Sequence, residues 1–129
     1  MSEPLFLNVE QIEGLHKRVL ELFGGTDGIR NRTLFESAIA QAQNVYHYKH
    51  GDLCDIAAAY CFHISQAQAF LDGNKRTAVA TGLTFLEING VNVSLDITEP
   101  VYEAMIAIAN HELDRDNLAI LLRTLIPLK

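Results

Sequence analysis

QAFLDGNKR, residues 68–76, places an acid, a glycine, an amide and two cations in the five consecutive positions from Asp72 to Arg76, two residues behind Phe70. The segments on either side decide what this stretch can be. Upstream, Leu53, Ile56, Ala57, Tyr60, Cys61 and Ile64 recur at the 3.6-residue period of a helix that Asp52 can cap. Downstream, about Asn74 to Asn89 is rich in Ala, Val and Leu and apolar on most sides, the pattern of a central helix that Gly90 then stops. The quoted stretch is therefore the junction of two buried helices. The start of the second offers unpaired backbone N–H groups and a partial positive charge, which favour an anion.

The side chains extend that preference. Gly73 lets the backbone turn tightly and approach a ligand, Asn74 offers an amide donor, and Lys75 and Arg76 supply fixed positive charge. Asp72 supplies a carboxylate suited to a magnesium ion that bridges two phosphates. A polyphosphate matches this inventory, with Phe70 pointing inward to pin the loop. Taken singly, Asp72 is more often a helix cap, Lys75 and Arg76 a solvated face, and Gly73 with Asn74 a plain turn; it is the cluster that points to a ligand. A Walker-type loop is excluded, because a single glycine stands before Lys75 in this turn and a helix, rather than a strand, lies upstream.

Further out, the chain reads as all-α. Asn8 and Gln11 form a capping box for a helix through Val9, Ile12, Leu15, Val19 and Leu22 that ends at Gly24-Gly25. A second helix opens at Asn31 or Arg32 and runs to about Gln43, with residues 46–51 as a loop. Val91 to Leu95 alternates like a short strand, with Leu5 to Leu7 as its expected partner. Pro100 marks the first turn of a fifth helix and Asp114 or Asp116 the start of a sixth. Residues 1–129 are read as one domain: a helical bundle around a central helix with at most a very short strand pair.

Composition narrows the function. Ten Lys and Arg against sixteen Asp and Glu give a net charge of −6, which disfavours direct nucleic-acid binding without a concentrated basic patch. No apolar run approaches membrane-spanning length, and MSEPLFLNVEQ has neither a basic start nor an apolar signal stretch, so a cytoplasmic protein without a membrane partner is expected. Cys54 and Cys61, on one helix, lie about 10 Å apart along its axis, too far for a disulfide, and are read as reduced core thiols.

Residues 62–90, FHISQAQAFLDGNKRTAVATGLTFLEING, resemble the signature region of the Fic/Doc family, H-x-F-x-[DN]-[AG]-N-[KG]-R at the head of a central helix. Phe70, Asp72, Gly73, Asn74, Lys75 and Arg76 match it. Residues 23–43, the end of the fourth helix and the closing helical pair are similar to the death-on-curing (Doc) branch. The adenylyl-transferring branch has a second glycine and a second arginine where Lys75 and Val79 stand, which disfavours that activity.

The resemblance implies a toxin of a toxin–antitoxin pair that uses ATP and Mg2+ to phosphorylate a translation factor of the elongation factor Tu class. It also implies an antitoxin whose helical tail fills a groove beside the site. One position departs from the pattern: Gln68 occupies the place of the catalytic histidine, and a carboxamide takes up no proton near neutral pH. Nucleotide binding through Gly73, Asn74, Lys75 and Arg76, with Asp72 on the metal, is expected to persist while transfer is weak or absent. The alternative is a catalytically dead protein- or nucleotide-binding module. His63 is read as a packed core histidine; His16 and His111 stand far from the motif in sequence, and His47 and His50 in a loop of unknown approach.

Overall fold

A computed structural model describes residues 3–126. It contains six α-helices: α1 (Val9–Phe23), α2 (Arg32–Lys49), α3 (Leu53–Ala67), α4 (Asn74–Ile88), α5 (Thr98–Ala109) and α6 (Arg115–Leu125), with a 3-10 turn at Leu95–Ile97. The expected caps are in place. Asn8 and Asp52 form reciprocal capping boxes with Gln11 and Asp55, and the side chains of Asn31 and Asp114 accept from the backbone of Leu34 and Asn117. Among the described residues, no helix is long and apolar enough to cross a membrane.

α3 and α4 form the centre. α4 packs on α1, α3 and α5, as its apolar circumference requires, and α3 packs on α2, α4, α5 and α6. They approach closely at Gly82, where an added Cβ would overlap Cys61 Sγ and lie 3.1 Å from the Ala57 carbonyl oxygen. Small residues at this crossing let two buried helices come together and so fix where the first turn of α4 stands. Cys54 and Cys61 are both buried free thiols, and burial pushes the Cys61 thiol up to about 12.

Two local expectations are corrected. The second helix does not end near Gln43: no glycine or proline interrupts residues 44–50, Val45 is buried, and Tyr46 packs edge-on against Phe6. The helix ends where His50 turns left-handed (φ 52°) and the Gly51 N–H donates to the Val45 carbonyl at 3.1 Å. The expected strand pair is also missing, since no named strand occurs among the described residues. Val91 is buried and Asn92 exposed, but the pattern fails at Leu95, which is 91% exposed, and no ladder forms. Side chains take the place of strand partners: the Leu5 N–H donates to Asn89 Oδ1 (2.8 Å), Asn89 Nδ2 donates to the Leu5 carbonyl (2.9 Å), and the Leu7 N–H donates to the Tyr60 hydroxyl (2.9 Å).

The crossing predicts that Gly82→Ala destabilises the protein by about 1 to 3 kcal/mol, the usual cost of overpacking. Urea unfolding checks this, and an unchanged midpoint would show that the two helices can part without cost.

Candidate functional site

The chain leaves α3 through Gln68, whose backbone is left-handed (φ 47°, ψ 44°), and enters α4 through Gly73, also left-handed at φ 81°. Between them Phe70 is the anchor, 1% exposed. Its ring lies parallel to His16 at 3.7 Å between centroids and leans on Phe35 at 4.9 Å. Its backbone is held by one side chain: Asn74 Oδ1 accepts the Phe70 N–H and Asn74 Nδ2 donates to the Phe70 carbonyl, both at 3.0 Å.

The loop after α1 completes the turn. The Leu71 N–H donates to the Gly28 carbonyl (3.0 Å), and the Arg30 and Asn31 N–H groups both donate to the Ala69 carbonyl (2.6 and 3.2 Å), making one isolated antiparallel bridge between Ile29 and Phe70. Arg30 also donates from its guanidinium to the Gln68 carbonyl. His16 Nε2 lies 2.8 Å from the Asp72 carbonyl oxygen. A carbonyl can only accept, so Nε2 carries the proton. The Thr26 N–H donates to Asp72 Oδ2 at 2.7 Å.

All six residues singled out in the sequence, Gln68, Asp72, Gly73, Asn74, Lys75 and Arg76, line one cleft of about 480 Å³. That volume lies in the range of small-molecule sites. Gly73 makes no side-chain cap for α4, so the N–H groups of its first turn have no side-chain partner. Among the described residues, neither Lys75 nor Arg76 has a carboxylate within 4.0 Å, although the chain carries net negative charge. The Arg76 guanidinium instead lies over two rings, 3.9 Å from the centroid of Phe23 and 4.3 Å from that of Tyr102. Half-buried cations without a carboxylate partner, at an uncapped helix start, suit the oxygens of a polyphosphate.

The donor set also fits magnesium in one form. No group of three His, Cys, Asp or Glu side chains gathers as a metal site among the described residues. Mg2+ commonly binds through one or two carboxylates with phosphate oxygens supplying further ligands, and Asp72 provides the carboxylate at the cleft. The side-chain amide of Asn74, expected as a ligand donor, is spent on closing the loop, which leaves its backbone N–H and one amide hydrogen for a ligand.

No histidine lines this cleft. His16 is 2% exposed behind the turn, against Phe70. His63 faces α6, where Arg115 Nη1 donates to its Nε2 at 3.0 Å. Burial first and the Arg115 charge second push His63 down to about 4 from an ordinary value of 6.5. His47 and His50 lie at the end of α2, His47 beside Glu3 and Phe6. The residues that sequence reasoning missed are His16, Thr26, Arg30, Phe23 and Tyr102. Only His16 left a signal, a histidine in register with Ile12 and Val19 on the buried face of α1.

The profile of the Fic/DOC family matches residues 6–86. Toxin Doc of Mycolicibacterium smegmatis (strain ATCC 700084 / mc(2)155) is 37% identical over 100 residues, which cover 75% of this chain and 77% of that protein. Protein kinase doc of Escherichia phage P1 is 32% identical over 88 residues, covering 67% and 70%. The chain belongs to the Fic/DOC family, and within it to the Doc toxin branch.

Two outcomes follow from the geometry. Asn74→Ala removes both hydrogen bonds to Phe70 and should cost about 1 to 3 kcal/mol in urea unfolding; a loss within about 0.5 kcal/mol, the usual range for a surface substitution, would show that the turn holds without them. For His63 the folded pKa lies below the unfolded one, so its neutral form favours folding. That contribution is complete above pH 6.5 and declines as the pH falls from 6.5 through about 4. The acid loss of stability over this window should shrink in His63→Gln, and identical pH profiles for both proteins would contradict the assignment.

Proposed function

We propose that this chain is a cytoplasmic Doc-type toxin whose fold binds ATP with Mg2+ and whose phosphoryl-transfer step, directed at a translation factor of the elongation factor Tu class, is crippled at Gln68. The observation that carries the reading is the pair of cations Lys75 and Arg76, without a carboxylate partner among the described residues, at the uncapped start of α4 in a cleft that also holds Asp72 and no histidine. In this reading Lys75, Arg76 and the first N–H groups of α4 would hold phosphate oxygens, and Asp72, whose Oδ2 accepts the Thr26 N–H, would supply a carboxylate for the metal. The bound Mg2+ would neutralise charge on the phosphates.

Transfer to a target hydroxyl also needs a group that takes the hydroxyl proton. Gln68 stands at that position, and its carboxamide cannot accept the proton. A positioned base is worth typically about 10²- to 10⁴-fold in rate, so binding survives where turnover does not. Transfer of an adenylyl group is disfavoured, because the position of the second arginine is Val79, 4% exposed in the core. The antitoxin expected from the resemblance would lay a helical tail in the groove of about 260 Å³ between α1, α4 and α5, lined by Leu15, Leu22, Val79 and Leu83. The competing reading, a nucleotide- or protein-binding module, draws support from the same absence of a histidine.

Gln68→His separates the two readings. It should raise phosphoryl transfer to the translation factor by about 10²-fold or more and arrest growth when the protein is produced alone. A variant that binds ATP yet modifies nothing and leaves growth unchanged would favour the binding module.

A further inference from the structure

Arg76 is the only Lys or Arg side chain of the cleft that touches aromatic rings, and the rings come from elements far apart in the chain. Phe23 is the last residue of α1, and Tyr102 lies in the first half of α5. Phe23 is 58% exposed, so core formation does not explain its position. Among the described residues the guanidinium makes no side-chain hydrogen bond and has no carboxylate partner.

These facts belong together. A carboxylate would fix an arginine equally well, but would consume its N–H donors and offset its charge. Ring faces fix it through the cation–π attraction and leave the donors at its edge available. A long side chain that is already ordered loses less freedom when it meets its ligand.

We infer that Phe23 and Tyr102 are positioning residues for phosphate binding: they hold the Arg76 guanidinium in place by its faces so that its N–H edge meets a nucleotide phosphate pre-set. The inference rests on the nucleotide reading above and extends it to two residues outside the motif. Only the ring of Tyr102 enters it, so its hydroxyl is dispensable. Lysine at position 76 would not substitute, because an ammonium lacks the planar, delocalised face that stacks.

Calorimetric titration of the full chain with ATP and Mg2+ tests it. Tyr102→Leu and Phe23→Leu should each weaken binding by about threefold or more, the lower range of an exposed cation–π contact, whereas Tyr102→Phe should bind within about twofold of wild type. The exposed Phe23 can be replaced with little effect on folding, so that arm stands even if Tyr102→Leu fails to fold. In an Arg76→Ala background the Tyr102→Leu loss should vanish, which a general structural role for the ring would not produce. Undiminished binding by both leucine variants, or tighter binding, overturns the inference while Arg76→Ala still binds weakly. A Tyr102→Leu loss that persists without Arg76 overturns it as well. Wild-type affinity in Arg76→Ala overturns the nucleotide reading and the inference with it.

Discussion

The turn between α3 and α4 depends on how Phe70 is held. Its ring is stacked on His16 and its backbone is closed by the Asn74 amide, so one residue connects α1, α2, α3 and α4 at the cleft. Each contact places something else. Through His16 the Asp72 carbonyl is fixed, and through Asn74 the start of α4 is tied back to the residue four positions before it. The loop after α1 reaches the same turn through Gly28, Ile29 and Arg30, which brings the Thr26 N–H onto the Asp72 carboxylate. The polar groups of the cleft therefore rest on a buried ring that does not itself line it. This is preorganisation in physical terms: supporting groups hold the geometry before the reacting groups arrive.

The left-handed backbone of Gln68 belongs to the same construction. A non-glycine residue in this region carries a steric cost of roughly 1 to 2 kcal/mol, and here the Arg30 guanidinium on its carbonyl helps hold it. In the proposed reading the scaffold keeps this left-handed conformation at the position expected of the family's base, where a carboxamide cannot take up a proton. In that reading binding and turnover are carried by different atoms. The groups proposed to face phosphate are cations and backbone N–H groups, which need no titration to act, whereas a base must titrate near the working pH. A single change of side chain can remove one without disturbing the other.

Much of this was legible in the residues because the relevant signals are local. The capping boxes at Asn8 and Asp52, the apolar period of α3 and the glycine after α4 each act within one turn of helix. The motif was legible for the same reason, since Asp72 to Arg76 are contiguous and share one cleft. What could not be read depends on separation in sequence. His16 is 56 residues from the carbonyl it meets, and Phe23 and Tyr102 join Arg76 only after three helices have packed. The expected strand failed for a related reason: alternation along the chain says nothing of whether a backbone ladder or an asparagine side chain satisfies the neighbouring segment, and Leu95, at its end, is not buried at all.

The central claim is that the protein's own contacts assemble the phosphate-facing turn, leaving the defect confined to the Gln68 side chain. Amide hydrogen exchange in the nucleotide-free protein tests it most directly. The Phe70 and Leu71 N–H groups, bonded to Asn74 Oδ1 and the Gly28 carbonyl, should exchange as slowly as the interior of α4. Exchange of these two amides at the rate of an open loop, with protection appearing only on addition of ATP and Mg2+, would contradict the account.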